Sequence, residues 1–114
     1  MESLKLFKAL GHETRFQIVQ LLLEGKLHSC CNEIRSYEQA CCVTDLTGLF
    51  DMSQSTISHH LAILMDSGMV TMEKRGQWSI YVISPQALNF LHDYIGDWIA
   101  RYEKTKANVI RLSD

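Results

Sequence analysis

The stretch "SQSTISHHLAILMDSGMVTMEKRGQWSIYVIS", residues Ser53 to Ser84, changes its hydrophobic period in the middle. Up to Gly68, the residues Ile57, Leu61 and Leu64 recur at helical spacing, with Ser53 suited to the N-cap and Gly68 to the stop. Beyond Gly68 apolar residues alternate instead: Val70 and Met72, then Trp78, Ile80 and Val82. Arg75-Gly76-Gln77 lies between these runs and carries the glycine of a hairpin tip. The pattern predicts a helix that runs directly into a β-hairpin.

Working toward the N-terminus, "VTDLTGLF" places Val43, Leu46 and Leu49/Phe50 on one helical face. "DMS" follows as a turn, and Asp51 tolerates the left-handed conformation better than most residues. Two helices joined by a turn of about three or four residues form a helix-turn-helix, and the hairpin after them is a wing. Farther upstream, Leu4, Phe7 and Leu10 suggest a short amphipathic helix, and Phe16, Val19 and Leu22/Leu23 a second one that ends at Gly25. Downstream, Ser84 and Pro85 read as N-cap and first-turn proline of a last helix. Its apolar stripe is Ala87, Leu88, Leu91, Ile95, Trp98 and Tyr102. The predicted fold is mainly α with a β-hairpin wing (α+β), one domain over residues 1–105 and a flexible tail over 106–114. So apolar a terminal helix exceeds what so small a core can cover, so dimerisation through terminal helices is expected. The alternative is that the helix caps its own core.

With 114 residues, the chain is long enough for one domain and one core. Its start, "MESLKLFKALGHETR", does not read as a signal peptide, and no apolar run approaches the ~20 residues of a membrane span. A cytoplasmic location is expected, where four cysteines suggest metal or redox chemistry before structural disulfides. The formal net charge is −2. Any contact with a polyanion must therefore come from a local basic surface. An enzyme is not expected: there is no Cys-x-x-Cys beside a βαβ pattern and no nucleophile–base constellation.

The Ser53–Ser84 run closely resembles the ArsR/SmtB family of winged-helix repressors, and so does "LKLFKALGHETRFQIVQLLLEG", Leu4 to Gly25, with Arg15. The resemblance implies a homodimer on double-stranded operator DNA, released by a metal ion, a metalloid or, in some branches, an oxidant. The residues suit that role. Short hydroxyls and amides on the first two turns of a recognition helix reach base edges or phosphates, and the helix N-terminus favours phosphate. The candidate DNA contacts are Ser53, Gln54, Ser55, Thr56, Ser58, His59 and His60 on the helix, with Lys74, Arg75 and Gln77 on the wing. His60 has a second option, packing against the wing. The bland alternatives are a solvated helix face and a charged turn that keeps the hairpin soluble.

All four cysteines lie in "HSCCNEIRSYEQACCVTDL", His28 to Leu46. Many family members carry Cys-x-Cys followed by Asp-Leu, and "CCVTDL" aligns Cys42 with the first thiol and Thr44 with the second. The two-thiol arsenic site of those members is therefore not intact. Against the family pattern, roughly fourteen extra residues precede this helix. They form a Cys-bearing insertion over about 26–41 that adds Cys30 and Cys31. In one continuous helix, Cys31 and Cys42 would lie about 16 Å apart along the axis, too far to share an ion. Co-ligation needs a turn between the pairs or a second subunit. Three readings compete for Cys30, Cys31, Cys41 and Cys42. They are a thiolate site for As(III)/Sb(III) or Cd/Zn/Pb, a redox or persulfide switch, and small buried hydrophobes. No cofactor is required by any of them. A zinc site on the last helix is not expected, since Phe90 stands where an Asp ligand would be and only the His92–Glu103 interval matches.

Overall fold

The computed structural model describes residues 1–112 apart from 26–28, 30, 32, 36 and 37. Within them the order is α1 (Ser3–Leu10), α2 (Glu13–Glu24), β1 (Ala40–Cys41), α3 (Val43–Phe50), α4 (Gln54–Ser67), β2 (Val70–Arg75), β3 (Trp78–Ile83) and α5 (Pro85–Leu112). The helix-turn-helix is α3 and α4, and the wing is β2 and β3.

The junctions follow from single residues. Ser53 Oγ accepts from the Thr56 amide at 3.2 Å and starts α4. Gly68 ends it at φ 87, a left-handed conformation that a Cβ disfavours. Asp51 closes α3 at φ 51, the one non-glycine with positive φ among the described residues. In the wing, Arg75 pairs with Trp78 across Gly76 and Gln77. Gly76 takes φ 62 at the first turn position, as a type II′ hairpin requires. The Ala87 amide donates to Ser84 Oγ at 3.3 Å, which caps α5 beside Pro85.

The core gathers Leu6, Ile18, Leu22, Leu46, Ile57, Leu61, Leu64, Met69 and Val70. Each fully buried aliphatic side chain of this kind stabilises the fold by about 1.5–3 kcal/mol. Several expected core positions differ. In α1 the buried residues are Leu6 and Ala9, while Leu4 is exposed. In α2, Ile18, Val19 and Leu22 are buried and Phe16 is exposed; in α3, Leu46 is buried and Leu49 exposed. Each of these helices has more apolar residues than one inward stripe can hold, and neighbours decide which stripe is chosen. In the wing, Val70 and Ile80 are buried but Met72 and Trp78 are exposed, because the hairpin leaves the core toward its tip.

Two features depart from the sequence pattern. β1 pairs antiparallel with β3, Ala40 opposite Val82 and Cys41 opposite Tyr81, making a sheet of order β1-β3-β2. Two residues are too few to display a period. The second is the length of α5, which continues through 106–112, where the sequence suggests a flexible tail. Only its first turns meet the core, through Ala87, Phe90 and Leu91. Tyr94 and Trp98 then pack on Phe7 of α1, with Trp98 stacked at 5.8 Å. Beyond that, Ile95, Trp98, Ile99 and Tyr102 are exposed.

Candidate nucleic-acid interface and thiol cluster

On α4, the residues Gln54, Ser55, Thr56, Ser58 and His59 are exposed, and so is Ser53 before it. They are exposed on the first two turns of α4, while Ile57, Leu61 and Leu64 anchor the helix in the core. Part of the hydroxyl set is engaged locally: Ser53 Oγ lies 3.2 Å from Ser55 Oγ and 2.9 Å from Thr56 Oγ1. Gln54 and Ser58 share a cleft with Gln77 and Trp78 of the wing, and Cys42 and Thr44 line its other side. Helix face and hairpin tip thus flank one surface, the arrangement by which a winged helix meets duplex DNA.

His60 departs from the expected set. It is only 7% exposed, which takes it off the exposed face of α4, and its partner Arg15 lies on α2 rather than the wing. Arg15 Nη1 is 3.2 Å from His60 Nδ1. A guanidinium only donates, so this bond needs a neutral imidazole with Nδ1 as acceptor. Burial, then the nearby His12, Arg15 and His59, all lower the His60 pKa in the same sense. Arg15 also donates through Nε to the Ala9 carbonyl at 2.7 Å, satisfying the C-terminal end of α1. One arginine therefore joins α1, α2 and the recognition helix. A helical period reports that His60 lies beside Leu61; it does not report that a cation waits there.

On the wing, Lys74 and Gln77 are exposed, with Lys74 Nζ donating to Ser79 Oγ at 2.8 Å. Arg75 is not a bare cation. It pairs with Glu38, reaches Glu73 Oε1 at 2.5 Å and donates to the Glu33 carbonyl at 2.9 Å. Nothing in the spacing of Glu33 and Glu38 from Arg75 announces this contact.

The cysteines divide. Cys31 and Cys42 sit in one buried cluster with Ile34, Ala40 and Ile80. Cys41 belongs instead to the main core with Leu46 and Leu61. Adjacent residues in an extended chain point to opposite sides, so the vicinal pair Cys41–Cys42 is split between two cores. Cys30 lies outside the described residues. Residues 29, 31, 33–35, 38 and 39 are not helical, contrary to the helical character of "NEIRSYEQA". The chain turns back at the Ile34 amide, which donates to the Cys31 carbonyl at 3.1 Å. Asp45 holds the returning segment: its Oδ2 accepts from Ser29 Oγ at 2.6 Å and from the Cys42 amide at 3.0 Å. Burial pushes the Cys41 thiol up to about 12, with the Asp45 and Cys42 charges adding to it. Among the described residues, no group of three His, Cys, Asp or Glu stands ready for a metal ion.

A recognition helix held by an HTH turn and flanked by a hairpin wing defines a winged helix-turn-helix DNA-binding protein. Residues 37–72 match the model of the bacterial regulatory protein, arsR family. The arsenical resistance operon repressor of Escherichia coli (strain K12) is 38% identical over 112 residues, covering 96% of this chain and 84% of that protein. The chain belongs to the arsR family of bacterial transcriptional regulators. An ArsR-like transcriptional regulator from Rhodococcus sp. RHA1 shares its fold with a TM-score of 0.75 at 21% identity, over 97% of this chain and 92% of that one. The homodimeric winged helix-turn-helix DNA-binding domain of a possible ArsR-family regulator from Mycobacterium bovis does so at 0.59 and 22% identity, over 85% and 77% of the two chains. No helix among the described residues is long and apolar enough to cross a membrane.

Proposed function

We propose that this chain is a cytoplasmic homodimeric repressor that holds a palindromic operator in its reduced, ligand-free form. A thiophilic metal or metalloid captured at Cys31 and Cys42 releases it. The observation that carries the reading is the burial of Cys31 beside Cys42 and Ile80 in one cluster. That cluster touches both the start of α3, which supports the recognition helix, and β3 of the wing. An ion drawn between these sulfurs would shift both supports of the DNA surface, through Leu46 and through Ile80. Leu49, exposed, offers no such route.

As(III) or Sb(III) takes three sulfurs, and Cd, Zn or Pb three or four. Cys31 and Cys42 supply two, Cys30 and Cys41 each adjoin one of them along the chain, and Cys41 would have to leave the main core to join. Arsenite is therefore the first effector to test, with a Cd-type ion second. The relative from E. coli, named for arsenical resistance, points the same way. The dimer would form through α1 and α5, where Leu4, Ile95, Trp98, Ile99 and Tyr102 expose apolar surface.

A second reading rests on the cluster holding a pair of thiols. Two thiols give a disulfide by losing two protons and two electrons to a peroxide, which becomes two waters. One experiment separates the readings. Operator binding by reduced protein is titrated with arsenite, Cd, Zn, peroxide and a persulfide donor, then repeated with Cys30, Cys31, Cys41 and Cys42 each changed to Ser. Release by arsenite that is lost in Cys31→Ser and Cys42→Ser supports the metalloid site. Release by peroxide alone supports the switch, and no release by any of them rejects both.

A further inference from the structure

We propose that Glu38 sets how much of the wing's positive charge DNA can reach, because its carboxylate competes with a backbone phosphate for the Arg75 guanidinium. The inference rests on the reading of the wing as a DNA contact. Both terminal nitrogens of Arg75 are occupied: Nη2 by Glu38 and Glu73, Nη1 by the Glu33 carbonyl at 2.9 Å. The planar guanidinium fork that suits a phosphate suits a carboxylate equally. Counting the three side chains, one positive and two negative charges stand where an incoming phosphate would need a cation. Glu38 does not arrive there by chance rotation. Its Oε2 accepts from the Arg35 amide at 2.9 Å, and Gln39 next to it donates to the Leu23 carbonyl at 2.7 Å. Two residues after Glu38, Ala40 pairs with Val82 and fastens the segment to the wing. The segment that carries Cys31 thus also carries the group that neutralises Arg75. Lys74 is bound to a neutral hydroxyl and stays available to phosphate.

Displacement of an acidic partner by phosphate removes one cation's worth of counterion release from binding. The test measures anisotropy of a labelled duplex from the region upstream of the protein's own coding sequence, over a salt series, with the intact reduced dimer. Glu38→Gln is expected to tighten binding roughly three- to tenfold at low salt and to steepen the log–log salt slope by about one per wing. Arg75→Ala is expected to weaken binding in the parent, since it leaves Glu38 and Glu73 uncompensated, and to abolish the whole gain in the Glu38→Gln background. Glu33→Gln removes a charge from the same segment while keeping the carbonyl that holds Arg75, and is expected to leave the slope unchanged. A gain from Glu38→Gln that persists with Arg75→Ala, or that Glu33→Gln reproduces, overturns the proposal in favour of general charge repulsion. Absence of salt-dependent duplex binding by parent and all variants overturns the DNA-contact reading instead, and the proposal with it.

Discussion

Ser29 donates to Asp45 at 2.6 Å, and the same carboxylate oxygen accepts from the Cys42 amide at 3.0 Å. One atom thereby joins the segment after α2 to the first turn of α3. Asp45 also lies at a helix N-terminus, where a negative charge is favoured. Hydrogen bonds to a charged group contribute about 1.5–3 kcal/mol each. Asp45→Asn is expected to destabilise the protein by about 1–3 kcal/mol and Ser29→Ala, which removes one of these bonds, by about 1.5–3 kcal/mol. Urea unfolding at one fixed protein concentration checks both, so that any change of assembly state does not enter the comparison. Equal stability of Asp45→Asn and parent would show that the carboxylate holds nothing.

Cys41 is the thiol that chemistry should reach last. The thiolate is the nucleophile, and burial pushes this thiol from an ordinary 9.0 up to about 12. At pH 8 its thiolate fraction then falls about a thousandfold below that of the unfolded chain. Iodoacetamide labelling followed by peptide mass spectrometry is expected to modify Cys41 far more slowly in the native protein than in urea. The raised value also works on stability. The contribution is intact below about 9 and is lost progressively as pH rises from about 9 toward about 12, because only the unfolded thiol ionises there.

His60 gives the opposite pH dependence. Its pKa lies below the ordinary 6.5 of an imidazole, from burial first and from His12 and Arg15 next. The neutral ring is stabilised in the fold, so this contribution is complete above about 6.5 and is lost as pH falls through the lower folded value. Between pH 7 and pH 5 the parent is expected to lose stability more steeply than His60→Asn, which keeps an acceptor but cannot protonate. Parallel pH profiles would count against the Arg15–His60 contact.

Exposure separates the residues of α4 by what their loss should affect. Ser58→Ala and His59→Ala are expected to weaken operator binding by about 1–3 kcal/mol each, roughly 5- to 150-fold, with little change in the unfolding midpoint. His60→Ala is expected to lower the midpoint itself. If Ser58→Ala with His59→Ala leaves operator affinity unchanged, that face does not meet DNA.

Asp51 holds a left-handed conformation at φ 51 in the turn between α3 and α4. A β-branched residue suffers there, whereas glycine does not. Asp51→Gly is expected to be neutral or up to about 1 kcal/mol more stable, and Asp51→Val about 1–2 kcal/mol less stable. Thermal unfolding of the two variants side by side decides it.

Local signals were sufficient for the helix-turn-helix and the wing. Ser53 and Gly68 bound α4 by their own chemistry, Gly76 turns the hairpin, and Ser84-Pro85 opens α5. Each works through neighbours only a few residues away, so the sequence by itself determined these elements and the family. Tertiary structure decided what touches what. Leu4, Phe16 and Leu49 have the right spacing but face solvent, because the inward stripe of each helix depends on its neighbours. Cys41 and Cys42 look alike in the chain and enter different cores, because an extended backbone alternates. Glu38 meets Arg75, and Arg15 meets His60, across 37 and 45 positions of sequence. The hydrophobic period of a helix or strand holds no information about charges that distant. These long-range contacts exist only once β1 has paired with β3 and α2 has packed on α4, which is why the candidate DNA face was legible in the sequence while its restraints were not.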